Sequence, residues 1–358
     1  MKKINFFRLG LSFAGCFLGA GYVSGQELWQ FFGSFGGRGF IGLFAAILLL
    51  FAVGMIMIAL NRKTGIDEAD KLVVRKNIPV LRMAVTVLEI VFLFGVCTIM
   101  AAGVGALLNQ LTGLPVWLGA LIFTATISVI SLAGFSGMIS AFSATVPILV
   151  VVTLIFGIVS VVNNGIHIPE TQTVSTNPLM GSWFVAAITF ACYNIFGSIA
   201  MIAPLGNFIK DRKNAVAGML LGALLLLLIA LSVLVSVCSK PDVIEAELPM
   251  LKLALDISKP IGFVYGVLLL LAMFGTALSS LVAFVNMVSQ KVTAVSQKRK
   301  LFTAICGVVI FCCSLFGFGD LISVIYPLFG YCSSVFIVLM AVHYFKVKRN
   351  DKVNENQA

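Results

Sequence analysis

The chain has 358 residues, of which 60% are hydrophobic and only 11% are Asp, Glu, Lys or Arg, with formal net charge +10 and mean hydropathy +1.09. An ordinary soluble domain carries about 25% charged residues, so soluble enzyme folds are excluded and the sequence reads as an all-α integral membrane protein. At roughly 20 apolar residues per spanning helix there is room for about ten spans and no separate catalytic domain. The basic excess points to loops on an anionic membrane face rather than to nucleic acid, because the sequence has no long basic tract.

In chain order, apolar runs predict spans at 5–35, 39–60, 79–108, 114–134, 139–162, 181–209, 214–238, 261–290, 301–318 and 321–343, in one transmembrane domain over 1–358 with a short cytoplasmic tail at 346–358. Two turns carry little punctuation: Gly134, Ser136, Gly137 and Ser140 mark one, and Gly317, Gly319 and Asp320 the other. The start, with Lys2, Lys3 and Arg8 before an apolar run, has the look of a signal peptide, but no small-residue cleavage site follows, so the run is read as a retained first span. With the N-terminus inside, only Arg38, Lys240, Lys252 and Lys259 among the 24 basic residues fall outside. The positive-inside rule then supports ten spans with both termini cytoplasmic. The external connection at 239–260 is expected to hold an interfacial helix from Val243 to Ile257, acting as a lid or a surface cap.

The first span contains FLGAGYVSGQELWQFFGSFG. Gly19, Ala20, Gly21 and Gly25 let the backbone turn or approach a ligand closely, and a helix broken at this depth is tolerated only where protein, water or solute satisfies the freed backbone groups. The alternative is a smooth helix contact of the GxxxG kind, which Gly15 and Gly19 also fit. Glu27 favours the break. A carboxylate within a span faces a polar interior, pairs, or takes a proton, and here it either anchors the second half-helix or carries a proton or cation. The sixth span repeats the pattern about half a chain later, with Tyr193, Asn194, Gly197 and Ser198 near its centre and Pro204 and Gly206 about two turns further on. Two interrupted helices at matching positions of two five-span halves, 1–165 and 170–345, point to an inverted 5+5 repeat and a midplane site.

In the eighth span Thr276, Ser279 and Ser280 share one helical face. With carbonyls of an unwound helix they would form a neutral oxygen cage for a monovalent cation; the plain reading is back-bonding to their own i−4 carbonyls. Glu89 in the third span suits a proton relay or a salt bridge with a basic residue. Asn286 reads as an interhelical hydrogen-bonding group, Trp29, Trp117 and Trp183 as interfacial belts, and the eight cysteines as small packing residues. His167 and His343 fall on opposite membrane sides and make no metal site. Without a Walker motif, nucleotide fingerprint or triad, the reading is a non-enzyme without ATP coupling or cofactor.

The first-span motif resembles the YkvI-like family of bacterial membrane proteins, distant relatives of the amino acid, polyamine and organocation transporter superfamily. That resemblance implies a sodium-symporter-like fold with discontinuous helices 1 and 6. It implies sodium ligands at Gly15 and Leu18 through carbonyls and at Ser279, Ser280 and Thr276. It also implies substrate contacts at Gly19, Ala20 and Gly21, facing Tyr193, Asn194, Phe196, Gly197 and Ser198. The SGQE run departs from the symporter pattern and bears on the substrate. The expected function is sodium-coupled symport of a small amino acid or related zwitterion by alternating access, with no obligate protein partner. The alternatives are proton coupling through Glu27 or Glu89, and a ligand sensor on the same scaffold.

Overall fold

The computed structural model describes residues 4–66, 68–74, 78–132, 145–168, 177–209 and 211–355; the expected turn at Gly134–Ser140 lies outside them. The first apolar run folds as three short helices, α1 Phe6–Phe17, α2 Ala20–Ser24 and α3 Gln26–Phe31. There follow α4 Gly37–Thr64, α5 Ala69–Val73, α6 Pro79–Thr112, α7 Val116–Leu132, α8 Thr145–Asn164 and α9 Trp183–Ile202. The remainder forms α10 Arg212–Ser239, α11 Pro249–Ile257, α12 Lys259–Lys291, α13 Thr293–Gln297, α14 Arg299–Ser314 and α15 Phe318–Glu355. Among the described residues, α4, α6, α10, α12 and α15 are long and apolar enough by length and composition to cross a membrane, and four shorter apolar helices accompany them.

Small residues set the closest packing. A Cβ on Gly10 of α1 would stand 2.9 Å from the Gly218 carbonyl oxygen, and one on Gly222 would stand 2.7 Å from that of Gly10. The backbones of α1 and α10 therefore touch directly, the way helices associate in lipid, where burying apolar surface gives no advantage. Residues 4 and 209 tie the start of the first run to the segment after α9: the Ile4 amide donates to the Phe208 carbonyl at 2.8 Å. On the same face His343 Nδ1 meets the Leu72 carbonyl at 2.8 Å and Arg299 donates to Asn286 Oδ1 at 2.7 Å, so Asn286 does join two helices.

Three expectations change. The sixth span does not break at 193–198: α9 runs on to Ile202 and gives way only there to a tight turn at Ala203–Phe208. Its polar side chains are absorbed locally, Asn194 donating to the Phe190 carbonyl at 3.0 Å and Ser198 to that of Ile195 at 2.8 Å, while Gly197 makes room for the Phe92 ring. The external helix starts at Pro249, six residues later than expected, after a turn at Pro241–Val243; proline suits a first helical position, not an interior one. Trp29 is buried against the backbone at Gly33 rather than lying in an interfacial belt.

Proline 327 sits inside α15. It has no N–H for the carbonyl four residues earlier, that of Ser323, and Asn177 supplies the missing donor at 2.6 Å. Asn177→Ala is expected to destabilise the protein by about 1–3 kcal/mol, the penalty for an unpaired buried acceptor. In a Pro327→Ala background, where the helix can satisfy that carbonyl itself, most of the cost should disappear, and a cycle of denaturation midpoints in detergent measures both.

Asp256 at the end of α11 accepts from Lys240 at 2.6 Å and from Lys252 at 2.8 Å. Burial pushes its carboxyl up, but the two ammonium groups outweigh this and hold it below its ordinary value. A depressed carboxylate stabilises the fold above its unfolded value of about 3.9 and loses that contribution as pH falls through the lower folded value. The thermal stability gap between the parent and Asp256→Asn should therefore be open at neutral pH and close in acid.

Candidate functional site

The break in the first run is built by Leu18, whose ψ of 59° leaves the helix, by extended Gly19 (ψ 171°), and by Gly25 at φ 87°, a left-handed conformation that glycine adopts without a Cβ clash. Each released backbone group needs a partner in an apolar surrounding. The Val23 carbonyl receives the Tyr265 hydroxyl of α12 at 2.8 Å, and the Gly21 carbonyl receives the Ser24 hydroxyl at 3.0 Å. Tyr22 in turn donates to the Leu226 carbonyl of α10 at 2.8 Å. The five residues of α2 are thus fastened to two other helices.

This fixes Glu27, which follows in the first turn of α3 and is only 4% exposed. The Tyr193 hydroxyl of α9 donates to its Oε1, and the Asn194 amide lies beside the same carboxyl. A Cβ on Gly21 would come 2.5 Å from the other oxygen, so the carboxyl rests on the glycine backbone of α2. Aromatic rings enclose the pair. Tyr326 of α15 stacks on Tyr193 at 4.5 Å and 13°, Phe31 and Phe190 each lie 5.7 Å from Tyr193, and Phe190 is 5.5 Å from Phe31. Beside Gly19 there is open space, with no atom within 4 Å of where a Cβ would sit.

Glu27 and Tyr193, 166 positions apart, are thus joined directly. Phe196 instead packs on Phe336 at 5.9 Å, away from the carboxyl. Gly15 is half-buried and Leu18 buried at the end of α1. On α12 Thr276 donates to Ala272 at 3.0 Å, and Ser279 donates to Gly275 at 2.7 Å with a second acceptor at Thr276; Ser280 is buried. These are the back-bonds of the plain reading, and they leave the hydroxyl lone pairs pointing off the helix. Half-buried Glu89, read as a proton relay or a salt-bridge partner, has acidic Asp70 of α5 in electrostatic range.

Sequence reasoning missed Tyr326, Phe31, Phe190 and Tyr265. Phe190 and Tyr193 share a helix face at i, i+3, and Tyr326 immediately precedes the in-helix proline, but nothing local says that these rings meet. It also missed a knot on the face opposite residues 4 and 209. There the Gly319 amide donates to Glu247 at 2.6 Å, and its carbonyl accepts from Gln30 of α3 at 2.9 Å. Two apolar grooves of about 330 Å³, one at Phe156 and Val264 and the other at Phe123 and Phe274, lie elsewhere and offer almost no polar group to a solute.

The same arrangement of helices occurs in solved structures of Mhp1. An inward-facing form matches with TM-score 0.60, and a closed form of this nucleobase-cation-symport-1 family transporter, with bromovinylhydantoin bound, matches with 0.62. Each is 15% identical and covers 98% of this chain and 80% of the other. The chain therefore has the multi-span all-α fold of Mhp1. Two Bacillus subtilis (strain 168) proteins are similar along nearly their whole length. The uncharacterised membrane protein YkvI is 25% identical over 333 residues, 92% of this chain and 93% of that one; the uncharacterised protein YyaD is 26% identical over 334 residues, 92% and 94%. No protein-family profile matches. The chain is a YkvI/YyaD-like bacterial membrane protein.

Tyr265→Phe removes the donor from the Val23 carbonyl and is expected to cost about 1–3 kcal/mol. Unfolding in detergent measures it; stability equal to the parent would mean that another group satisfies the break.

Proposed function

We propose that the protein is a secondary active transporter of the bacterial cytoplasmic membrane, with ten spans, both termini cytoplasmic, and a small amino acid or related zwitterion as its solute. The observation that carries this reading is the buried Glu27 at a helix break, hydrogen-bonded across to α9. A carboxyl group placed there is costly, and such groups mark solute, ion or proton sites. The likeness of fold to a cation symporter supports a transport cycle in which the bundle exposes this site to either face alternately.

The packing also supports an inverted 5+5 repeat. The start of the first run packs on α10 as α9 packs on α4, while α6 pairs with α12 and α7 with α14. Shifting every span by five maps the first two pairings onto each other and the last two onto themselves. The break at α1–α3 then corresponds to the turn after α9, at Ala203 rather than at its centre.

Sodium is the leading coupling ion in this reading, held by carbonyls of Gly15 and Leu18 and by Thr276, Ser279 and Ser280. Proton coupling is a second reading, favoured by the neutral donors that surround Glu27. A ligand couples only to the extent that it prefers one arrangement over the other.

Uptake of labelled amino acids into proteoliposomes separates these readings. The double variant Ser279→Ala, Ser280→Ala should lose most sodium-driven uptake, by at least tenfold. If uptake in the parent follows an imposed pH gradient, ignores sodium and is abolished by Glu27→Gln, the proton reading replaces it. No flux for any solute that the protein binds would make it a sensor.

A further inference from the structure

Among the described residues no basic side chain is hydrogen-bonded or ion-paired to Glu27. The stretches 9–37, 39–61, 83–132, 177–209, 214–239, 260–290 and 301–342 contain no Lys, Arg or His. The two groups on the carboxyl, the Tyr193 hydroxyl and the Asn194 amide, are neutral donors: they solvate the carboxyl but bring no counter-charge to it. Aromatic rings gather at the same place: Tyr326 stacks on Tyr193, and Phe31 and Phe190 pack beside it. Carboxylate and ring faces have the same electrostatic preference, for a cation. For an anionic solute group they are repulsive, and these stretches supply no basic side chain to offset them.

We propose that the site recognises its solute through a protonated amine, with Glu27 as the counter-charge and Tyr193 and Tyr326 as the aromatic wall, and that a carboxylate on the solute is dispensable. This rests on the transporter reading above and narrows its solute to primary or substituted ammonium compounds. In the arrangement seen here the Tyr193 hydroxyl occupies the donor position on Glu27 Oε1. An entering ammonium group takes that position, which requires the Tyr193–Tyr326 stack to shift away from the carboxyl. The open space beside Gly19 adjoins the same broken segment.

The test uses the purified full-length protein in nanodiscs and three matched sets of probes: the amino acids, their decarboxylated amines, and their N-acetylated acids, which keep the carboxylate but have no charged amine. Thermal stabilisation at graded concentrations reads binding by mass action. The proposal expects stabilisation by at least one amino acid and by its amine but not by its N-acetyl acid, and at least tenfold weaker binding of both in Glu27→Gln. An unfolding temperature of solute-free Glu27→Gln equal to that of the solute-free parent tells a lost counter-charge apart from a general loss of folding. Binding of an N-acetyl acid as tight as that of its parent amino acid, or undiminished binding by Glu27→Gln, overturns the amine assignment and leaves the transporter reading standing. Stabilisation by no member of any set overturns both.

Discussion

The structure depends on a break in a helix that crosses an apolar environment. Unwinding at Leu18–Gly19 and again at Gly25 releases carbonyl and amide groups where no bulk water can take them. The chain answers with the Tyr265 hydroxyl of α12 on the Val23 carbonyl and the local Ser24 hydroxyl on that of Gly21, while Tyr22 of α2 reaches outward to α10. Once α2 is fastened in this way, the direction of α3 is set, and with it the position of Glu27 against Gly21 and Tyr193. The carboxyl is therefore placed by the repair of the backbone as much as by its own contacts.

The same solution recurs elsewhere in the bundle. Pro327 frees the Ser323 carbonyl and Asn177 takes it; the turn at Gly319 is held by Glu247 and Gln30. These irregular places lie where α3, α9 and α15 meet, around the stacked pair Tyr193 and Tyr326. By contrast α1 and α10 join through direct backbone contact at Gly10, Gly218 and Gly222. A contact of hydrogen bonds and one ring stack is held by interactions of about 1 kcal/mol each and can exchange partners. A glycine seam has no such alternatives, since its closeness is its whole attraction.

Much of this was legible in the residues. The order of apolar runs, the glycines at the first break and the isolated Glu27 are local signals, and most helices begin and end within a few residues of the polar punctuation, although α15 runs twelve residues past its expected end at 343. The sixth span misled because Asn194, Gly197 and Ser198 look alike whether they interrupt a helix or sit within it. Whether Asn194 bonds back to Phe190, and whether Gly197 receives the Phe92 ring, depends on neighbours that the sequence does not order. Trp29 misled for a related reason: a belt residue and a core residue of a broken helix have the same composition around them.

By itself the sequence determined that the chain is a bundle of apolar helices, that basic residues fall mainly between the apolar runs, and that one acidic group sits inside a glycine-rich run without a basic residue nearby in the chain. These follow from transfer energetics and from local backbone freedom, which need no partner. Tertiary structure alone decided that Glu27 meets Tyr193, that Tyr326 covers the pair, and that Tyr265 and Asn177 close the two backbone gaps. Each of these joins residues more than a hundred positions apart, and a contact of that kind exists only once the helices between them have packed.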